Sequence, residues 1–331
     1  MKNKKIIFAF AIFPIILNAQ TFFSSEPFAH TFSIVARDTI TGEMGVAVQS
    51  HWFAVGTIVS WGEAGVGVVA TQSFVNPSFG PRGLALLKQG LNAQQVLNLL
   101  IESDEGRDFR QLTILDSKGN SAAYTGINCV DDAGHFVGNN YSVQANMMIN
   151  NKIWSAMSEA FENSKGKLAE RLLVTLEAAQ KAGGDIRGKQ SASILVVLAE
   201  STGNIWQDRI VDIRVDDHPE PIEEVKRILK VHRAYEHMNN GDLAIEHNNM
   251  DLAMKEYSTA ESMFPENEEM KYWHAVTLAN TGKVDESLPL FREVFFKNKN
   301  WVELTPRLIK SKLLTVNEEQ LIKILNQADK K

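Results

Sequence analysis

The chain has 331 residues, with 34 Lys+Arg against 40 Asp+Glu and a formal net charge of −6. That balance argues against a nucleic-acid partner held by phosphate neutralisation. A hydrophobic fraction of 44% with 22% charged residues is that of a globular protein rather than a disordered one, and the length predicts two domains.

Residues 1–19 read MKNKKIIFAFAIFPIILNA. Lys2, Lys4 and Lys5 give a positive start, Ile6 to Leu17 an apolar run, and Ala19 a small residue at its end. This pattern predicts a signal peptide, and hence a periplasmic or secreted protein. No later stretch is apolar for the ~18–20 residues a span needs, so no stable membrane span is expected.

From residue 31 to 217, strand and helix signals alternate. TFSIVAR (31–37) is apolar at every second position and predicts a strand; a turn at 38–42 joins it to EMGVAVQS (43–50), a hairpin partner. Strands are also predicted at 57–61 and 65–72. A helix follows Pro81, and a second spans 93–102 with Asn92 as its cap. Strands return at 109–116 and 121–126, helices near 152–163 and 167–182, and strands at 191–200 and 208–216. The Gly183–Gly184 pair stops the second of those helices. This order suits an α+β domain over 22–217 built as a four-layer αββα sandwich, two sheets packed together with helices outside each; the order alone also permits a simpler α+β fold.

Pro219 and Pro221 mark a boundary, and helix formers dominate from 222 to 331. Ala253, Tyr257 and Ala260 recur 34 residues later as Ser287, Phe291 and Val294. That offset resembles tetratricopeptide repeats, with the first repeat longer around 241–248, and predicts an all-α helical-repeat domain; a generic helical bundle is the alternative. Its first helices would lie near 223–239 and 267–281, its second helices near 249–263 and 284–297, with 301–328 capping the stack. Such a domain binds a protein partner; its sequence holds no catalytic motif.

Chemistry has few local signatures here. No nucleophile elbow, SxxK motif or phosphate loop occurs. The single cysteine, Cys129, excludes an intrachain disulfide, and the eight histidines show no metal-ligand spacing. Neither a metal nor a cofactor is therefore expected. Cys129 and His135 stand six residues apart in a predicted loop, without a third member to complete a thiol-protease site.

Blocks through the first domain carry a family resemblance. They include TFSIVARD (31–38), GEMGVAVQSHWFAVG (42–56), EAGVGVVATQ (63–72), NPSFGPRGL (76–84), AGHFVGNNYSVQANM (133–147) and AGGDIRGKQSASILVV (182–197). They resemble the bacterial family called domain of unknown function 1028, which is itself similar to N-terminal nucleophile (Ntn) hydrolases. The resemblance implies an αββα fold and hydrolysis of a small amide or peptide-like bond. Thr31 would be the nucleophile, and its freed α-amine, with a pKa near ~8, the base. A cut between His30 and Thr31 is then required, because an acylated amine cannot accept the proton. Gln49 stands where proteasome-type relatives carry an orienting aspartate, and the usual lysine partner is absent from the strands that follow. His51 is the nearest titratable group. Asn146, with Gln144, would supply amide donors near the nucleophile, and Lys189 would meet an anion at a strand mouth. Gln72 and Asn76 are weaker candidates. The competing expectation is a non-catalytic binding or scaffold protein, acting on cell-wall fragments or on a protein partner through its helical repeats. By analogy with Ntn relatives, a homo-oligomer is compatible with either reading.

Overall fold

The computed structural model describes residues 28–330; the predicted signal segment lies outside them. The chain divides between Ile222 and Glu223 into two compact units.

The first unit holds two antiparallel sheets. Its strands are β1 (Phe28–Ala29), β2 (Thr31–Arg37), β3 (Met44–Ser50), β4 (Ser60–Glu63), β5 (Gly67–Phe74), β6 (Arg110–Asp116), β7 (Ser121–Thr125), β8 (Gly134–Gly138), β9 (Tyr141–Ala145), β10 (Ser191–Val197) and β11 (Arg209–Val215). One sheet has the order β1-β5-β6-β7, with β4 also pairing β5; the other runs β11-β10-β3-β2-β9-β8. The predicted hairpin is β2 and β3, in the register Thr31↔Ser50 to Arg37↔Met44.

Side chains alternate along a strand, so each sheet has two faces. Val35, Met44, Val46 and Val48 share one core cluster with Val68, Ala70 and Leu115, which come from the other sheet; the two sheets therefore pack face to face. The alternate residues Val69, Leu112 and Ile114 meet α1 (Phe79–Lys88) and α2 (Ala93–Glu102) through Leu84, Leu87, Val96 and Leu100. Asn92 and Gln95 close a reciprocal capping box at the start of α2. Two further helices follow, α3 (Ile153–Asn163) and α4 (Leu168–Lys181). Gly45 of β3 lies where α4 comes close: a Cβ there would sit 2.7 Å from Leu172 Cδ1.

Three local expectations change. The strand predicted at 57–61 is instead a short 3-10 turn (Val55–Thr57), with the strand displaced to β4, because the amides of Ile58 and Val59 bond back to Val55 O. Residues 134–145 form the hairpin β8–β9. Ahead of Thr31, Phe28 and Ala29 form β1, a strand of the opposite sheet, so the chain crosses between sheets at His30. The helix α5 (Ile205–Asp208) precedes β11.

The second unit is helical. Its elements are α6 (Pro221–Glu246), α7 (Met250–Met263), α8 (Glu268–Asn280), α9 (Val284–Lys297), α10 (Asn300–Leu304), α11 (Arg307–Lys310) and α12 (Glu318–Leu325). Ala253, Tyr257, Ala260, Ser287, Phe291 and Val294 are all buried. The first helix, predicted near 223–239, runs on to Glu246. Gly241 leaves room there for the Tyr257 ring, from which a Cβ would fall only 2.8 Å.

Candidate active site

Thr31 opens β2, the third strand from one edge of the six-stranded sheet, on the face it shares with Ser33 and Val35. Along β2 the apolar sandwich core ends at Val35. Beyond it the same face becomes polar, and Thr31, Ser33, Gln72, Gln111, Gln144 and Asn146 are all fully buried. Buried polar groups need partners, and these supply most of one another's, with Gln144 Oε1 left without one among the described residues. Ser33 Oγ donates to Gln72 Oε1 (2.6 Å), and Gln72 Nε2 donates to Gln111 Oε1 (2.6 Å) and to Thr31 O (3.1 Å). Asn146 Nδ2 donates to Gln111 Oε1 (2.9 Å), and its backbone N–H to Thr31 O (3.1 Å). Gln111 Nε2 reaches Thr125 Oγ1 (2.9 Å) and Ala145 O (2.9 Å). Two facing sheets are thus cross-linked by amides around the carbonyl of Thr31.

On the other side of Thr31 stands the His30–Thr31 peptide bond. The His30 carbonyl accepts from Ser50 Oγ (2.6 Å) and from Arg187 Nη2 (2.8 Å). Arg187 is fixed by Asp185, whose carboxylate is fully buried: Nη2 lies 2.7 Å from Oδ2, and Nε lies 3.0 Å from Oδ1. This fork geometry holds the guanidinium plane in one orientation. Asp185 also accepts the backbone N–H of His51 (3.2 Å), which ties the end of β3 to the same loop.

The His30 ring is buried; its Nδ1 lies 2.7 Å from Asn146 Oδ1, and the ring meets Phe74 edge-on at 5.5 Å. Asn146 Oδ1 can only accept, so Nδ1 carries the proton. Burial lowers the His30 pKa; the bond to Asn146 raises it, the Arg187 charge lowers it, and the Asp185 charge raises it, with a net downward shift. The Thr31 hydroxyl donates to Ala29 O at 2.6 Å, and in the intact chain its amine is acylated by His30.

Of the residues singled out from sequence, Thr31 and Asn146 come together with Gln72, while Gln144 lies alongside, its Nε2 donating to Ser33 Oγ (3.3 Å) and Ala70 O (3.1 Å). Gln49 does not: it pairs with Phe32, so it lies on the face of the sheet opposite Thr31. Both its amide atoms are buried without a hydrogen-bond partner among the described residues. His51 follows β3 and enters the site through its backbone N–H rather than its ring. The Lys189 ammonium is engaged by Glu220 in a partly exposed ion pair. Asn76 bonds Asp104 (3.3 Å) and Ser78, which places it in a neighbouring loop network. Cys129 donates to Arg110 O (3.3 Å), and burial pushes its thiol pKa up; His135 Nδ1 instead contacts Thr125 Oγ1 (2.8 Å), so the two form no thiol–imidazole pair. Sequence reasoning passed over Ser50, Asp185, Arg187 and Gln111. Among the described residues, no group of His, Cys, Asp and Glu side chains could hold a metal ion, and no helix is long and apolar enough to cross a membrane.

A family model described as a family of unknown function, DUF1028, matches residues 31–225. The chain belongs to this family. The match begins at the residue that heads β2. A crystal structure of a DUF1028 protein from Silicibacter pomeroyi is 32% identical, with a TM-score of 0.56, covering 61% of this chain and 85% of that one. Anbu, described as an ancestral beta-subunit, from Yersinia bercovieri, is 10% identical with a TM-score of 0.32, covering 60% of this chain and 92% of its own. A comparison with curated proteins finds no match.

Proposed function

We propose that the DUF1028 domain is an Ntn-type amidohydrolase made as a precursor, with its layers stacked αββα and Thr31 as its nucleophile once the His30–Thr31 bond is cut. The observation that carries this reading is the His30 carbonyl held between the Ser50 hydroxyl and the Arg187 guanidinium. Two donors, one of them cationic, on a single buried carbonyl form the kind of cradle that stabilises negative charge on that oxygen. If Thr31 Oγ attacks the His30 carbonyl carbon, charge develops on this oxygen. The C–N bond then breaks, the hydroxyl proton ends on the departing Thr31 nitrogen, and an ester joins His30 to Thr31 Oγ. Water cleaves the ester, leaving a carboxylate on His30 and a free amine and hydroxyl on Thr31. The same donors then stand beside a nucleophile whose own amine is the base.

The protein is proposed to be exported, on the strength of its first 19 residues, and its helical unit to be a tetratricopeptide-like scaffold for a protein partner. Intact-mass and N-terminal analysis of purified protein tests the enzyme reading, which requires a chain starting at Thr31. One observation favours the non-catalytic alternative: the Thr31 hydroxyl is bound to the Ala29 carbonyl, not to a base. On that alternative the amide stays intact, and the domain binds cell-wall fragments or a partner without hydrolysing anything.

A further inference from the structure

We infer that β1 and His30 fill, in the intact chain, the groove that takes the acyl side of a peptide substrate; the inference rests on the hydrolase reading above. The edge of β5 is covered in two stretches. β4 pairs with Gly67–Ala70, and β1 with Ser73 and Phe74, through Ala29↔Ser73 and Phe28↔Phe74. Release of residues 28–30 uncovers the second stretch. Its backbone groups are then those that an extended peptide uses to add a strand to a sheet edge. Ser73 marks the docking point: it is buried and holds a left-handed φ of 74°, a conformation unusual for a non-glycine residue and one that accumulates at ligand clamps.

Each released residue has its own contact. Ala29 is fully buried in the core between the sheets, in a cluster with Val55, Val59 and Val75, which leaves room for a methyl group. The His30 ring gives its Nδ1 proton to Asn146 Oδ1, and that oxygen is held in place because Asn146 Nδ2 is engaged by Gln111. The His30 carbonyl rests on Ser50 and Arg187. The vacated groove therefore selects an extended peptide with a small residue second before the scissile bond and a hydrogen-bond-donating side chain immediately before it. After hydrolysis, the new carboxylate faces the Arg187 cation.

The probe is the acetylated pentapeptide of residues 26–30, Glu-Pro-Phe-Ala-His, with a free carboxylate, titrated by calorimetry. The processed chain should bind it. The full-length Thr31→Ala chain, its groove filled by its own β1, should not. Thr31→Ala combined with Ala29→Trp, whose indole cannot enter the methyl-sized site, should bind it again; Ala29→Asp takes the place of Ala29→Trp if the tryptophan variant does not fold. Peptides with Trp for the alanine, or Leu for the histidine, should bind at least ten-fold more weakly. A folded processed chain, or a folded Ala29 variant, that ignores the pentapeptide or accepts the tryptophan peptide equally well overturns the inference. Binding to the Ala29 variant when no chain starting at Thr31 ever forms keeps the groove and removes the hydrolase reading instead.

Discussion

Arg187 is where the proposed chemistry and the fold are hardest to separate, so its replacement has to be designed around Asp185. Arg187→Ala removes the charged donor 2.8 Å from the His30 carbonyl, but it also strands a fully buried carboxylate. Loss of one partner from a buried ion pair costs about 3–5 kcal/mol, a large share of the roughly 5–15 kcal/mol that holds a domain together. A slow or unfolded Arg187→Ala protein would therefore say little about catalysis. Asp185→Asn with Arg187→Gln removes both charges together and leaves amides able to bond the His51 N–H and the His30 carbonyl. Loss of one oxyanion donor costs about 10²–10³-fold in rate, roughly 2.7–4 kcal/mol. The Arg187 side chain is 28% exposed and the replacement amide is neutral, so water and that amide replace part of the lost interaction and a slowing at the low end of that range, about 10²-fold, is expected. The assay is a time course of intact mass on freshly folded protein, with thermal melting in parallel. A double variant that melts near the parent and still loses its leading residues at the parental rate would refute the role given to Arg187.

Other perturbations have definite outcomes. Gln49→Met should raise stability by about 1 kcal/mol, because a buried amide without partners costs ~1–3 kcal/mol and a thioether of similar length does not; a loss of stability, or of processing, would show that the amide is used. Lys189→Ala should leave the cleavage rate unchanged within two-fold, since its ammonium is engaged by Glu220; a ten-fold change would return Lys189 to the site. The His30 pKa is lowered from its ordinary 6.5, chiefly by burial. Below 6.5 the unfolded chain therefore binds more protons than the folded one, so precursor stability begins to fall as pH drops through 6.5 and levels off below the folded value. In a Thr31→Ala background, His30→Gln should flatten that part of the denaturant-midpoint profile; an identical slope in both chains would contradict it.

Much of the fold was legible because burial leaves periodic traces. Alternating apolar residues gave β2 and β3 nearly to the residue, and Asn92 gave the start of α2. The strands β8 and β9 were missed because Ser142 and Gln144 interrupt the apolar pattern at inward positions. That interruption was itself the candidate site's signal. Thr31, Ser33, Gln72, Gln111 and Gln144 put polar side chains where strand register demands apolar ones, and such conflicts concentrate at functional sites. Taken strand by strand, they look unremarkable; only the pairing of the two sheets brings them together. Asp185 and Arg187, two residues apart in a glycine-flanked loop, carried a fainter trace: an acid and a base that a tight turn brings together, with the Arg187 N–H donating to Asp185 Oδ1. Gln49 failed for the opposite reason. A one-residue offset in β3 moves a side chain to the other face of the sheet, and position along the strand does not reveal which face carries Thr31.

The most direct test is the N-terminus of the protein recovered from its native host or from a secreting one. The account predicts a chain whose first residue is Thr31, and its disappearance in Thr31→Ala but not in Thr31→Ser. Folded wild-type protein that keeps His30 joined to Thr31 through prolonged incubation would contradict it.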